Sequence, residues 1–246
     1  MIIGKRNTGK TFLIRDLLYH LQDIPPFGTI ISRTEPENGF YKNIVPKLAI
    51  HNKYNSELIQ LVLERQKRMV KRYNNDMETN KKTTIDPRTF LHLFAFAMQK
   101  RQLLYHLKPP TLSAFEMVKG VILDDCLYHD TWSRDKLMRL MFMNGRHYQL
   151  MVMVSMQYPM GIPPELSSNI DYLFIFRDNI LSNRKRIWEN YADFFSTFES
   201  FCSIMEQTAV NNDCLVIHLS SKSDKLEDKV FWYRAEKREK LYDHVE

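Results

Sequence analysis

Gly4-Lys5-Arg6-Asn7-Thr8-Gly9-Lys10-Thr11 is the stretch on which the fold turns. It satisfies the pattern Gly, any four residues, Gly-Lys-Ser/Thr in full, and the spacing has a chemical reason. The two glycines let the backbone curl so that successive N–H groups point inward as a nest for an anion. A helix starting near Lys10 offers the positive end of its dipole to the same anion. Lys10 then reaches the β- and γ-phosphates of a nucleotide, and the Thr11 hydroxyl sits on Mg²⁺. Gly4, Lys5, Arg6, Asn7, Thr8, Gly9, Lys10 and Thr11 are thus the candidate ATP-binding residues. The flanks agree. Met1-Ile2-Ile3 reads as a strand end, shorter than such a strand normally is, and 10–22 reads as a helix with Leu13, Leu17 and Leu21 on one stripe. With only 7 glycines in 246 residues, an accidental glycine turn before a helix is the weaker reading.

The second decisive stretch is Val121-Ile122-Leu123-Asp124-Asp125. A buried strand ending in two acids delivers Asp124 towards the metal and leaves Asp125 at the tip, where it can polarise an attacking water. Alone, the pair could equally be a strand end meeting solvent; coupled to the phosphate loop, the catalytic reading gains. Hydrolytic members of this class usually carry Glu at the second position, and Asp125 is one methylene shorter. The next apolar strand, Leu150–Met156, ends at Gln157, whose amide can donate to a γ-phosphate and orient water.

The other elements follow from periodicity. Thr29–Ser32 and Tyr172–Phe176 read as buried strands, and Cys214–Leu219 with Val230–Arg234 as a terminal strand pair. Residues 56–73 predict a helix with Leu58, Leu61, Val62, Met69 and Tyr73 near one face. A polar stretch, 74–89, reads as a loop, 89–107 as a buried helix, and 183–207 as one or two helices. Ser133 is the expected cap of a helix running to Asn144, with Asp135 in its first turn. Apolar strands separated by helices predict an α/β fold with a mostly parallel sheet covered on both faces. The chain is expected to form one domain over 1–246, with 51–117 as a mainly helical, basic insertion and 210–246 as the strand pair and tail.

Composition narrows the class. Hydrophobic residues make up 44% and aromatics 12%, which excludes a disordered chain. No apolar run approaches the roughly 18 residues of a membrane span, and the N-terminus does not read as a signal peptide. Three cysteines (Cys126, Cys202 and Cys214) without metal or disulfide spacing suit a reducing compartment. The net charge of +6 is unevenly placed: residues 51–120 hold 13 basic and 6 acidic side chains, more than the whole excess. Lys67, Arg68, Lys71, Arg72, Lys81 and Lys82 are candidate contacts to duplex DNA, the plain alternative being a solvated helix face.

Taken together, Gly4–Thr11, Val121–Asp125, Asn144-Gly145-Arg146-His147, the following apolar strand and Gln157-Tyr158-Pro159 resemble the FtsK–HerA superfamily of ring-forming DNA pumps. More narrowly they resemble the poxvirus-type genome-packaging ATPases of nucleocytoplasmic large DNA viruses. Pro163-Pro164 and Asn169-Ile170-Asp171-Tyr172 add to the likeness. It implies a RecA-like P-loop core with an extra strand between the two nucleotide motifs. It also implies ATP and Mg²⁺ as cofactors, and ATP-driven movement of double-stranded DNA into a capsid. The implied partners are further copies of the chain in a ring and capsid or virion membrane proteins, in a virion or cytoplasmic virus factory. Lys10, Asp125, Gln157 and Arg146 become the catalytic candidates, and Thr11 and Asp124 the metal ligands. Arg146 is the first choice for a finger given to a neighbour's ATP, with Arg184 and Arg186 as alternatives. A cellular or plasmid translocase, a nucleotide kinase with a lid near 177–186, and a nucleotide-gated scaffold are the competing functions.

Overall fold

The computed structural model describes residues 1–20, 28–42, 45–80, 119–127, 130–158, 162–208 and 212–237. Eight strands form one sheet: β1 (Ile2–Ile3), β2 (Thr29–Ser32), β3 (Ile50–His51), β4 (Lys119–Asp124), β5 (Leu150–Met156), β6 (Tyr172–Phe176), β7 (Asp213–His218) and β8 (Val230–Arg234). Their spatial order is β3-β2-β4-β5-β1-β6-β7-β8. The first six run parallel, and β7 and β8 are antiparallel additions. Strand β5 lies between β1 and β4, so a strand does separate the one that precedes the phosphate loop from the one that ends in acids.

The shortness of β1 is resolved by its neighbours. Ile2 and Ile3 pair with Ser155 and Met156 on one side and with Phe174 and Ile175 on the other. The Gly4 amide donates to Met156 O at 3.0 Å, and the Phe174 amide donates to Met1 O at 2.9 Å. Two residues suffice because backbone groups on both edges are satisfied by longer strands.

The helices, numbered among the described residues, are α1 (Lys10–His20), α2 (Glu35–Asn38), α3 (Ser56–Asn80), α4 (Lys136–Asn144), α5 (Pro164–Ser167), α6 (Leu181–Tyr191) and α7 (Phe198–Thr208). They divide between the two faces of the sheet. On one face α1 buries Leu13, Ile14, Leu17 and Leu18 against Ile2, Ile30, Ile122 and Phe174, with Tyr41 and Val45 closing the layer. On the other, α3 and α4 place Ile59, Leu63, Met138 and Met141 over Ile31, Val121, Leu123 and Val154. On that same side α6 and α7 place Ile187, Phe201 and Met205 over Ile3, Leu173, Ile175 and Leu215. Alternate residues of each strand serve opposite layers, as the pleat requires. The α/β class and the flanked, mostly parallel sheet expected from the sequence are therefore present.

Several expectations need correction. Helix α3 continues through 74–80, where polar residues predicted a loop. Asn74 and Asn75, the first residues of that stretch, face solvent. Leu61 is 60% exposed and does not belong to the buried stripe, which Ile59 and Leu63 form. Residues 130–134 make a separate 3₁₀ turn, and Asp135 replaces Ser133 as the cap of α4, accepting from the Leu137 amide at 2.8 Å and the Met138 amide at 3.3 Å. The one or two helices expected over 183–207 are present as two, α6 and α7. His51, inside the expected insertion, belongs to edge strand β3 and pairs with Ile31. The helix expected over 89–107, and Lys81 and Lys82, lie outside the described residues.

Candidate active site

The phosphate loop leaves β1 at its carboxyl end and enters α1. Asn7 has φ +60° and Gly9 φ +102°, left-handed conformations that turn the chain tightly enough to curl the loop. The Leu13 amide donates to Gly9 O at 2.9 Å and begins the helical ladder. The Thr8 hydroxyl braces the turn by donating to Lys5 O at 2.8 Å. Gly4 is needed for space: a Cβ there would fall 2.6 Å from Thr8 Oγ1 and 2.9 Å from Phe176 Cβ. Lys10 is buried, and its Nζ donates to Gly4 O at 2.8 Å and Lys5 O at 3.1 Å. Lys5 pairs with Asp178 Oδ1 at 2.9 Å, tying the loop to the turn after β6. Burial opposes charge on Asp178, but the Ile180 amide, Lys5 and Asn183 outweigh it and hold the carboxyl below its usual range. Arg6 and Asn7 are exposed.

Asp124 ends β4 on the face that α1 covers, the same face as the helix whose first turn carries Thr11. It lies in a row across the sheet with Ser32 and Ser155. Ser155 Oγ donates to Asp124 Oδ1 at 2.5 Å, Tyr41 OH to Oδ2 at 3.0 Å, and Ser32 Oγ to Oδ2 at 3.4 Å. Burial raises the Asp124 pKa, Asp125 adds to the rise, and the Ser155 and Tyr41 donors pull the other way. Burial first, and then Asp124, push the Tyr41 phenol well up, so it remains a donor. The same two causes in the same order push the Cys126 thiol up to about 12 and leave it inert.

Asp125 stands just past the strand with φ +46°. Its amide is held by Ser155 O at 3.3 Å and Ser155 Oγ at 3.1 Å. Its Oδ2 meets Lys10 Nζ at 3.2 Å and accepts from Gln157 Nε2 at 3.1 Å. The structure thus brings Lys10, Asp125 and Gln157 together at one sheet edge, from the ends of β1, β4 and β5. The oxygen donors near Thr11 and Asp124 suit a hard cation such as Mg²⁺, which is usually held by one or two protein oxygens plus substrate phosphate. Among the described residues, no group of three or more His, Cys, Asp or Glu forms a self-sufficient metal cage.

The arginine candidates divide between the two edges of the sheet, with Arg184 and Arg186 on the side of the phosphate loop. Arg146 is in the 3₁₀ turn before β5, at the sheet edge opposite the phosphate loop, and forms an ion pair with Asp171. Arg184 is buried, bonded to Asp178 O and to Glu206 Oε1. Arg186 reaches the Tyr158 hydroxyl and lies over the Tyr158 ring. Lys67, Arg68, Lys71 and Arg72 are on the exposed face of α3, and Lys67 Nζ sits 5.1 Å from the Tyr148 ring centroid, which places this face at the Arg146 edge. Tyr41, Ser32 and Ser155 around Asp124 had no motif to mark them. Nor had Phe176 beneath Gly4, or Asn212, whose Cβ lies 3.2 Å from where a Cβ on Gly9 would be. Only register could have paired the two serines with Asp124.

A parallel sheet with a phosphate loop after one strand and an acidic pair two strands away defines an α/β P-loop protein with a RecA-like core. Similarity to known proteins places it further. Protein L437 of Acanthamoeba polyphaga mimivirus is 30% identical over 239 residues, covering 97% of this chain and 72% of its own length. Protein 088R of Invertebrate iridescent virus 3 is 31% identical over 234 residues, covering 95% of this chain and 74% of its own length. The chain belongs to this family of proteins from large DNA viruses. Its fold is shared with the genome packaging NTPase B204 of Sulfolobus turreted icosahedral virus 2, solved with AMPPCP (TM-score 0.52, 11% identity, 95% of each chain). It is shared too with the pCW3 conjugation coupling protein TcpA, solved with ATPγS (TM-score 0.57, 10% identity, 96% of this chain and 60% of that one). No protein-family model matches the chain.

Two outcomes follow from this geometry. Gly4→Ala should weaken binding of a fluorescent ATP analogue at least tenfold, whereas Gly28→Ala, whose Cβ would meet only ordinary contacts at 3.5 Å, should leave it unchanged. Asp124→Asn should raise the thermal midpoint near pH 7. A carboxyl whose pKa is raised by folding is costly to ionise in the native state, so stability falls as pH rises from the unfolded towards the folded pKa. The advantage of the Asn variant should therefore shrink on acidification through that window, as followed by melting curves at a series of pH values.

Proposed function

We propose that this chain is an ATP-hydrolysing motor that moves double-stranded DNA into a viral capsid as part of a ring of identical subunits. The observation that carries this reading is the convergence of Lys10, Asp125 and Gln157 at the tips of β1, β4 and β5, with Asp124 on the face of Thr11. The loop amides and Lys10 hold the β- and γ-phosphates and stabilise charge on the phosphoryl group in transfer. Asp125 accepts the proton of the attacking water as the bond between the γ-phosphorus and the bridging oxygen breaks, and ADP leaves. Gln157, already hydrogen-bonded to Asp125, orients that water. Mg²⁺ held by the Thr11 hydroxyl and, through water, by Asp124 would neutralise charge on the β- and γ-oxygens. Arg146 is the proposed trans group, presented from the opposite sheet edge to a neighbouring subunit.

The exposed cations Lys67, Arg68, Lys71 and Arg72 are the proposed DNA contact. A helix of 25 residues spans roughly 37 Å at 1.5 Å per residue, long enough to follow several backbone phosphates. Contacts of this kind are sequence-tolerant and weaken with salt. Lys81 and Lys82 would extend the same run. The viral relatives and the shared fold of a packaging NTPase favour a viral packaging role over a cellular or plasmid translocase. A nucleotide kinase is disfavoured because, within the 177–186 segment that would have to close as a lid, Asp178, Asn183 and Arg184 are buried and tied up in internal bonds. Capsid or virion membrane proteins are the proposed docking partners, in the virion or virus factory. No helix among the described residues is long and apolar enough to cross a membrane.

ATP hydrolysis measured with and without duplex DNA should show stimulation by DNA, and Lys10→Ala should abolish it. Phosphate transfer to a nucleoside monophosphate with no response to DNA would falsify the motor. Charge reversal of Lys67, Arg68, Lys71 and Arg72 to Glu should weaken DNA binding and flatten the log–log salt dependence by about 0.9 for each phosphate no longer neutralised. Unchanged binding in filter or anisotropy titrations would return these residues to an ordinary solvated face.

A further inference from the structure

We propose that Tyr41 is a positioning residue that aims the Asp124 carboxylate at the metal, an inference that rests on the nucleotide site described above. A carboxylate offers about four acceptor positions. Three on Asp124 are taken: Ser155 Oγ on Oδ1 at 2.5 Å, Tyr41 OH on Oδ2 at 3.0 Å and Ser32 Oγ on Oδ2 at 3.4 Å. The two serines come from the flanking strands at the same register, so the sheet supplies them automatically. Tyr41 does not come from the sheet. It reaches in from the segment after α2, spanning 83 positions of sequence, and is fully buried.

A dedicated clamp delivers it. Glu35 is buried and turns its carboxylate back on its own segment, where Oε1 and Oε2 both accept the Tyr41 amide at 2.9 Å and Oε1 accepts the Lys42 amide at 2.9 Å. Gly39 allows the turn, with φ +56° and its amide bonded to Glu35 O. The backbone of Tyr41 is thus fixed by one carboxylate while its phenol fixes another. With three positions held, rotation of the Asp124 carboxylate is restricted, and one acceptor position on Oδ1 is left for a metal-bound water on the α1 face of the sheet. Removing a partner of this kind typically costs about 10–100-fold in metal affinity.

The test reads metal-coupled nucleotide binding. Binding of mant-ATP is titrated against Mg²⁺, and measured separately in EDTA, for wild type, Tyr41→Phe, Asp124→Asn and the double variant. Tyr41→Phe should raise the half-saturating Mg²⁺ concentration about tenfold. Its affinity in EDTA should stay at the wild-type value. In the Asp124→Asn background, Tyr41→Phe should add no further shift, because it acts through that carboxylate. Equal half-saturating Mg²⁺ in wild type and Tyr41→Phe, or an equal loss of affinity in EDTA, overturns the positioning role and leaves the ATPase reading standing. A wild type whose mant-ATP binding ignores Mg²⁺ overturns both.

Discussion

Parallel pairing of β4 with β5 and of β5 with β1 is the constraint on which the site depends. Parallel strands end at the same edge, so whatever follows each strand meets there. Lys10 follows β1, Asp125 follows β4 and Gln157 follows β5, and their polar ends lie 3.1–3.2 Å from one oxygen of Asp125. A change in strand order would keep every motif intact in the sequence and separate these groups. The order also places Asp124 and α1 on one face, because residues two apart along a strand share a side of the pleat and Ile122 packs beneath α1.

The layers around that sheet explain why the site tolerates so many buried polar groups. Lys10, Asp124 and Tyr41 lie on or beside the α1 face, and each has partners within the chain. An unpaired charge there would cost several kcal/mol. Paired, Lys10, Asp124 and the neutral Tyr41 phenol are held at the carboxyl ends of the strands at little cost. The opposite layers, built on Phe201, Met205, Met138 and Met141, bury apolar clusters that add to the cohesion of the sheet. Of the methionines crowded between 138 and 160, Met138, Met141 and Met156 are buried as filler in one cluster, while Met143 is exposed.

Local signals were legible wherever chemistry and periodicity act over a few residues. The phosphate loop, the acidic strand end, the strands Leu150–Met156, Tyr172–Phe176 and Val230–Arg234, and the start of α3 all stand where the pattern puts them. The misses are of two kinds. Helix α3 runs on past Tyr73 into Asn74 and Asn75, which are exposed, and exposed helical residues carry no apolar stripe to announce them. Asp135 displaced Ser133 as a cap because Tyr54 and Ser56, 81 and 79 positions away, also bond its carboxylate. A cap supported by distant donors cannot be identified from the local run.

By itself the sequence determined the phosphate-loop pattern, the acidic pair, the α/β class and the basic character of the stretch after residue 50. Those features rest on residue types at short spacing. Tertiary structure alone decided which serines and which tyrosine hold Asp124, that Lys10 and Gln157 share Asp125, and that Arg146 lies at the far edge beside the basic face of α3. These depend on register, strand order and the side of the sheet each element covers, which arise only when elements far apart in the chain bury their apolar faces together.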